Sequence, residues 1–284
     1  MISIIGSLDG LVCVEEINLD QKEINLDRVY LWNPSINKLK PVPAAPIIND
    51  NHGIIRGLGY SQKTKDYKVV RILFLDLTSV GAVADVVVYS LNTDSWRPVK
   101  GTTIAPAGTL WHEYDPNLLG CPELQVTFNG VPHWFAEKES REKFIMSFNF
   151  DDERFGEFKI PADCDRWKYR IIGAYKDLLS IFVGVKVPNV PREHDYELWV
   201  MKEYGAESSW QKLFFILSTR VELGIPLGFG DHAQIFLKIR GWDQLFALDC
   251  DEQVKEFGDK QVKFFGIDSV CNIFSYTESL FLLG

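Results

Sequence analysis

Short runs of alternating apolar and polar residues, each ended by a polar turn, recur along the whole chain. Residues 86–99, VVVYSLNTDSWRPV, give a β-branched run, a turn at Asn-Thr-Asp-Ser and then Trp96. Alternation with a period of two predicts half-buried strands, and a polar cluster between two such runs predicts a hairpin turn. We therefore expect Trp96 to begin the outermost strand of a small sheet and to pack its ring against the neighbouring sheet.

The same strand–turn–strand unit can be traced through the rest of the sequence. Its copies lie at 29–43, 86–99, 144–161, 196–215 and, more weakly, 244–257. Phe155 and Phe158 stand near the Trp position in the third copy, and Trp210 stands there in the fourth. Each unit follows another hairpin, with turns predicted at Asp9-Gly10, Lys63 to Asp66, Asn129-Gly130, Lys176-Asp177 and Asp231-His232. Asp-Gly and Asn-Gly between alternating apolar residues are strong hairpin signals.

Four strands in every repeat of about 40 to 50 residues predict a β-propeller of the WD40 or kelch type. The prediction is an all-β, kelch-like propeller with about five blades, formed by residues 1–284 as a single domain. No long segment has apolar residues at helical spacing. The last segment, SVCNIFSYTESLFLLG at 269–284, is expected to add an inner hairpin, and so a partial closing blade.

The alternating direction of the strands in a blade predicts the end at which a partner would bind. In a four-stranded antiparallel blade the first and third connections lie at one end, and here they are short. The other connections are long and irregular: roughly 15–28, 44–55, 75–85, 101–123, 162–168, 186–195 and 218–224. Long loops on a rigid scaffold commonly carry recognition, with aromatic and Arg side chains as anchors. The predicted partner-binding residues are Trp111, His112, Tyr114, Asp165, Arg166, Trp167, Arg192 and His194.

Composition narrows the classes of partner and compartment. The net charge is -9 and no Lys/Arg cluster occurs, which argues against nucleic acid as a partner. The longest apolar runs, such as LLSIFVGV at 178–185, are too short to span a membrane. The five Cys are odd in number and widely spaced, and no CxxC occurs. We expect reduced thiols in a cytoplasmic or nuclear protein.

The sequence contains few signals for catalysis, metal binding or cofactor binding. The sequence contains no GxSxG, no HExxH and no Gly-rich phosphate loop, so we expect no catalytic residue, no metal and no cofactor. His112, with Glu113 and Asp115, is the most suggestive cluster. In an extended segment His112 and Glu113 would point to opposite faces, which hinders joint ligation. His133 is expected to be a packed or hydrogen-bonded sheet residue, and the carboxylates at 151–153 are expected to be solvated turn formers rather than a glycosidase pair.

Five segments resemble the plant F-box-associated domain in both order and spacing. They are GSLDGLVCV, YLWNPSINKLKPVP, GLGYSQKTKDYKVVRI, VVVYSLNTDSWRPV and ELWVMKEYGAESSWQKLF. The closing SYTESLFLL is similar to the C-terminal end of S-locus F-box and S-haplotype-specific F-box proteins. This resemblance implies the non-catalytic substrate-recognition domain of an F-box subunit in a cullin-based (SCF) ubiquitin ligase.

The family also implies partners, with one departure. Its members carry an N-terminal F-box that binds a Skp-type adaptor, whereas this sequence has none and is expected to be N-terminally truncated. Adaptor and cullin binding is therefore expected only when an F-box is present. In the S-locus members the captured protein is a basic S-ribonuclease of self-incompatibility, which an acidic chain would suit. Two alternatives stay open: an adaptor-less receptor fragment without a ligase role, and a glycan-binding or enzymatic propeller using a cluster such as His112 and Asp115.

Overall fold

The structure is a computed structural model that describes most of the chain. The described residues are 2–16, 28–46, 52–75, 83–99, 109–110, 125–138, 140, 142–161, 167–186, 194–216, 225–230, 234–238, 245–249, 262–265, 273 and 275–283. Within them the chain forms 21 β-strands and two short 3-10 turns, and no α-helix. The all-β prediction is confirmed.

The chain divides into two compact units, and the first contains residues 1–113, 125–157 and 276–284. Sheet 1 is built from β1 (Ile2–Leu8), β2 (Leu11–Glu16), β3 (Val29–Asn33) and β4 (Lys38–Pro41). Sheet 2 is built from β5 (His52–Ser61), β6 (Asp66–Leu75), β7 (Val83–Ser90) and β8 (Ser95–Pro98). Sheet 3 is built from β10 (Val126–Phe128), β11 (Val131–Lys138), β12 (Lys143–Asn149) and β13 (Arg154–Lys159), with the short β9 (Thr109–Leu110) paired to β11.

The second unit contains residues 114–124 and 158–275, and so takes the end of β13. Sheet 4 is built from β14 (Trp167–Tyr175), β15 (Leu178–Lys186), β16 (His194–Met201) and β17 (Trp210–Ile216). Sheet 5 is built from β18 (Ile225–Phe229), β19 (Gln234–Lys238), β20 (Leu245–Asp249) and β21 (Val262–Phe265). Apart from β9, consecutive strands of each sheet pair in chain order, which is the predicted meander.

The tight turns lie where the sequence predicted them. Asp9-Gly10, Asn129-Gly130 and Lys176-Asp177 are two-residue connections in which both residues have positive φ. Such turns match the right-handed twist of the strands that they join. The turns of sheets 1 to 3 that precede the last strand also end on a residue with positive φ, namely Asn37, Asp94 and Glu153. The predicted turn at Asp231-His232 lies outside the described residues.

Neighbouring sheets are held together by apolar side chains from facing strands. Sheets 1 and 2 share a cluster with Ile5, Cys13, Leu31, Leu58, Val69 and Tyr89. Sheets 2 and 3 share a cluster with Val70, Ile72, Val88, Trp134, Phe144 and Phe148. Sheets 4 and 5 share a cluster with Ile171, Phe182, Tyr196, Leu198, Phe229 and Ile235. The alternation in the sequence therefore supplies apolar faces for sheet-on-sheet packing.

The packing predicted for Trp96 is confirmed. Its ring packs against the apolar cluster that sheets 1 and 2 share, beside Tyr89 of its own sheet, with ring centroids 5.6 Å apart. Its indole N–H donates to the carbonyl oxygen of Pro43, just after sheet 1, at 2.6 Å. Trp210 repeats this contact in the second unit, where its indole N–H donates to the carbonyl oxygen of Lys159 at 2.8 Å. Trp96 and Trp210 thus each donate a hydrogen bond to the backbone at or just after the end of the preceding sheet's last strand.

The predicted closing hairpin is not present among the described residues. Residues 273 and 275–283 form no strand, so the predicted hairpin is corrected over those residues, and the rest of 269–284 lies outside the described part. We call residues 276–283 the C-terminal strap, because they cross the turns of sheet 1. A Cβ on Gly10 would lie 2.1 Å from the Cβ of Ser279, so the close approach of the strap requires glycine there. The strap binds side chains of sheet 1, which explains why it does not pair as a strand.

Candidate partner-binding surfaces

Successive strands of a sheet run in opposite directions, so its tight turns lie at one end and its other connections lie at the opposite end. We call these the turn end and the loop end. In sheet 4 the turns at 176–177 and 202–209 lie at the turn end. At the loop end, Trp167 is paired with Val185 and His194 is paired with Lys186. Trp167 and His194 therefore begin the two strands that flank β15, at the same end of the sheet. The sequence placed them in loops, and the structure instead places their backbones in β14 and β16.

The other predicted binding residues lie outside the described residues. These are Trp111, His112, Tyr114, Asp165, Arg166 and Arg192. Their role in binding stays a prediction.

The turn ends of the first unit are linked by hydrogen bonds between neighbouring sheets. The Tyr67 hydroxyl donates to a carboxylate oxygen of Asp9 at 3.2 Å. The backbone N–H of Tyr60 donates to the carbonyl oxygen of Gly130 at 2.8 Å. Burial and the neighbouring Asp9 carboxylate raise the pKa of Tyr67 to about 12, so its hydroxyl keeps its proton and remains a donor. These contacts make the turn ends of sheets 1 to 3 one connected platform.

The carboxylates at 151–153 join sheets rather than act as an acid–base pair. Asp151 accepts from the Ser61 hydroxyl at 2.7 Å and from the Lys63 backbone N–H at 3.0 Å. These hydrogen bonds, the one from Lys63 first, lower the pKa of Asp151 below its usual range. Glu153 accepts from an Arg97 guanidinium nitrogen at 3.0 Å. Asp151 and Glu153 lie in the turn before β13, as predicted, and in addition each bonds to sheet 2 or its turn.

The C-terminal strap is bound to the platform through one buried amide. The side-chain nitrogen of Asn33, which is fully buried, donates to the carbonyl oxygens of Ser279 at 3.0 Å and Phe281 at 2.9 Å. The Ser279 N–H donates to the Ser35 hydroxyl at 3.2 Å, and the hydroxyls of Ser35 and Tyr276 lie 2.6 Å apart. These hydrogen bonds between uncharged groups fix both the position and the chain direction of the strap.

Alternate side chains of the strap face solvent. Leu280 is 82% exposed and Leu282 is 74% exposed. Phe281 lies edge-on against Tyr67, with centroids 5.0 Å apart, and Leu283 packs against the core cluster of sheets 1 and 2. The sequence reading missed this surface because the same alternation was interpreted as a closing hairpin. Large apolar residues exposed together commonly mark an interaction site.

The acidic, His and Cys side chains of the described residues are not grouped as a metal site would need. No group of three or more His, Cys, Asp or Glu side chains in that part of the chain could hold a metal ion. His133 is fully buried in sheet 3, as predicted, and its Nδ1 lies 2.8 Å from the carbonyl oxygen of Val131. Burial lowers its pKa to about 4. No helix of the described part is long and apolar enough to cross a membrane.

Five consecutive four-stranded antiparallel meanders define this chain as an all-β protein of the propeller class. Comparison with protein families gives a more specific assignment. The model of the F-box associated beta propeller domain matches residues 2–281, and the chain belongs to that family. The resemblance seen in the sequence is confirmed.

The chain is similar to several F-box proteins of Arabidopsis thaliana. It is 27% identical to the F-box/kelch-repeat protein At3g23880 over 240 residues, which cover 84% of this chain and 58% of the relative. It is 26% identical to the F-box protein At4g22390 over 267 residues, which cover 88% of this chain and 62% of the relative. The chain thus spans about three fifths of the length of these relatives.

Solved structures that are similar to this chain have low sequence identity to it. Puromycin hydrolase is 11% identical, with a TM-score of 0.50, and the match covers 88% of this chain and 38% of that chain. A lectin of Aleuria aurantia in complex with a fucosylated sugar is 11% identical, with a TM-score of 0.46, over 96% of this chain and 79% of that chain. Identity at this level speaks for the fold alone, and function has to be argued from the site.

Proposed function

We propose that this chain is the substrate-recognition domain of an F-box subunit in a cullin-based (SCF) ubiquitin ligase. The observation that carries the proposal is the family match over residues 2–281, together with relatives that are F-box proteins. The domain itself is non-catalytic in this proposal, because ubiquitin transfer belongs to other subunits. Skp-type adaptor and cullin bind only where an F-box is joined to the domain.

The target is held at the loop ends of the sheets in this proposal. Trp167 and His194 begin the two strands that flank β15, at the same end of sheet 4, which supports a shared binding area there. The other members of the proposed area are Trp111, His112, Tyr114, Asp165, Arg166 and Arg192. Aromatic and Arg side chains are frequent energetic anchors of protein interfaces.

The target proposed first is a basic protein of the S-ribonuclease kind, which would place the chain in self-incompatibility. The net charge of -9 supports a basic partner, because complementary charge speeds encounter and disfavours acidic competitors. The free, buried thiol of Cys13 supports a reducing compartment, the cytoplasm or the nucleus.

The proposal is tested by affinity capture from floral extract with two baits, this chain alone and this chain preceded by an F-box segment. We expect both baits to recover the same target, and only the second to recover adaptor and cullin. Ubiquitin conjugates of the target should form only with the second bait. Recovery of no common protein, or of a common protein that is never ubiquitinated, would overturn the proposal.

A variant pair tests the loop end once that target is in hand. Trp167→Ala combined with His194→Ala should weaken target capture roughly tenfold, as expected for interface anchors. Lys202→Ala serves as the control, because Lys202 is exposed at the turn end of the same sheet. Equal loss in both variants would contradict the placement of the site at the loop end.

A further inference from the structure

The backbone of the C-terminal strap has a bonded side and an unbonded side. The carbonyls of Ser279 and Phe281 and the N–H of Ser279 bond to Asn33 and Ser35 of sheet 1, whereas the Phe281 N–H donates to the Ser279 hydroxyl within the strap. In the described part of the chain, no hydrogen bond uses the backbone groups of Glu278, Leu280 or Leu282. Every second residue of the strap is thus bonded toward sheet 1, and the backbone groups of the residues between them form a free edge, although the strap itself pairs with no strand.

The free edge carries the apolar side chains that face solvent. Leu280 and Leu282 alternate with Phe281 and Leu283, which face the platform. An extended segment that paired with this edge would satisfy its backbone groups and would cover both leucines. Exposed strand edges readily pair with another chain for the same reason.

The strap is held in its binding conformation before any partner arrives. Asn33 fixes two alternate carbonyls, and the Tyr67 ring supports Phe281 from below. The hydroxyl of Tyr67 is itself tied to Asp9. A preformed edge lowers the ordering cost of binding, because only the incoming segment has to lose conformational freedom.

Charge indicates what kind of segment fits. Glu278 is an exposed carboxylate on the strap, and the Asp9-Gly10 turn lies directly beneath Ser279. The Glu278 carboxylate therefore lies beside the free edge, and the Asp9 carboxylate belongs to the platform below it. With a chain charge of -9, the surface favours basic side chains over acidic ones.

We propose that the C-terminal strap is a docking edge for an extended, basic segment of a partner protein. The segment adds as a β-strand to the free edge, places apolar side chains on Leu280 and Leu282, and places a basic side chain near Glu278 and Asp9. This inference rests on the proposed function, because it names a second surface and the kind of segment by which a protein target is held.

The test uses a short fluorescent peptide that alternates valine and lysine, read by anisotropy against the whole chain. We expect binding, and protection of the backbone N–H groups of the strap from hydrogen exchange. The double variant Leu280→Lys and Leu282→Lys should weaken binding roughly tenfold or more. Ile2→Lys is the matched control, since Ile2 is 72% exposed at the loop end of sheet 1, and it should change binding by less than about twofold.

Two further peptides separate strand addition from mere charge attraction. The same sequence with alternate backbone nitrogens methylated should not bind, because it cannot pair with the edge. A valine–glutamate peptide should bind more weakly than the valine–lysine peptide. No binding of the valine–lysine peptide, equal binding of the methylated peptide, or an unchanged affinity in the double leucine variant would each overturn the inference.

Target capture then distinguishes this inference from the proposed function. If the double leucine variant captures the target as well as the unaltered chain does, the docking edge is wrong and the receptor function stands. If the peptide binds the strap as described but no target is captured by either chain, the edge stands and the receptor function fails.

Discussion

The contact between sheets 4 and 5 depends on the absence of a side chain at Gly173. A Cβ placed there would lie 2.0, 2.6 and 2.8 Å from three ring carbons of Phe229. Ordinary contacts between carbon atoms are about 3.5 to 4.0 Å, so the ring would have to move by roughly 1 Å or more. Phe229 is only 7% exposed, and its core cluster leaves it little room. We expect Gly173→Ala to lower the free energy of unfolding by about 1–3 kcal/mol.

The sign of this effect should reverse when the ring is removed. Phe229→Ala alone should cost about 3–5 kcal/mol through the cavity that it leaves. In that background, Gly173→Ala meets no ring and restricts the unfolded chain, so it should be neutral or should stabilise by up to about 1 kcal/mol. The double-mutant cycle, measured by urea unfolding, should therefore show a coupling of about 1–3 kcal/mol. Additive costs, or an equal loss from Gly173→Ala in both backgrounds, would refute this account of the packing.

Three further predictions concern single side chains. Trp96→Phe removes the indole N–H that donates to Pro43 but keeps a ring against Tyr89. The free energy of unfolding, measured by urea titration, should therefore fall by about 1 kcal/mol. The same change at the partly exposed Trp32 should have a smaller effect. Because burial lowers the pKa of His133 from 6.5 to about 4, only the unfolded chain binds this proton between those pH values, and stability should fall as the pH is lowered from 6.5 to 4. His133→Gln should flatten that part of the stability–pH curve, and an unchanged slope would contradict the assignment. Burial also raises the pKa of the Cys13 thiol, so a maleimide should label Cys13 only after the chain unfolds. The labelled residue is identified by peptide mass. Labelling of the native chain at the rate of a free thiol would count against this burial.

Local features of the sheets could be predicted from the sequence, because they depend on neighbours along the chain. Asp9-Gly10 and Asn129-Gly130 tolerate positive φ, and the alternation around them fixes which residues face the next sheet. The packing of Trp96 follows from the same local pattern. These signals need no knowledge of distant residues.

The C-terminal strap could not be predicted in this way. Its position depends on Asn33, which binds Ser279 across 246 residues of sequence. Residues 276–283 alternate like a strand, and nothing within the segment shows that side chains rather than a neighbouring strand will bind it. Trp167 and His194 were misplaced for a simpler reason, because strand ends are defined by pairing with β15 and not by their own residue types.

Asn33 is synthesised well before the strap residues that it bonds. At about 5–20 residues per second, the ribosome adds the 246 residues between Asn33 and Ser279 in roughly 12–50 s. Throughout that interval the side-chain nitrogen of Asn33 lacks both of its carbonyl partners, and sheet 1 is without its strap. A nascent chain that stops short of Ser279 therefore exposes the Asn33 nitrogen to water and leaves the Gly10 turn uncovered. Only synthesis of the strap buries them.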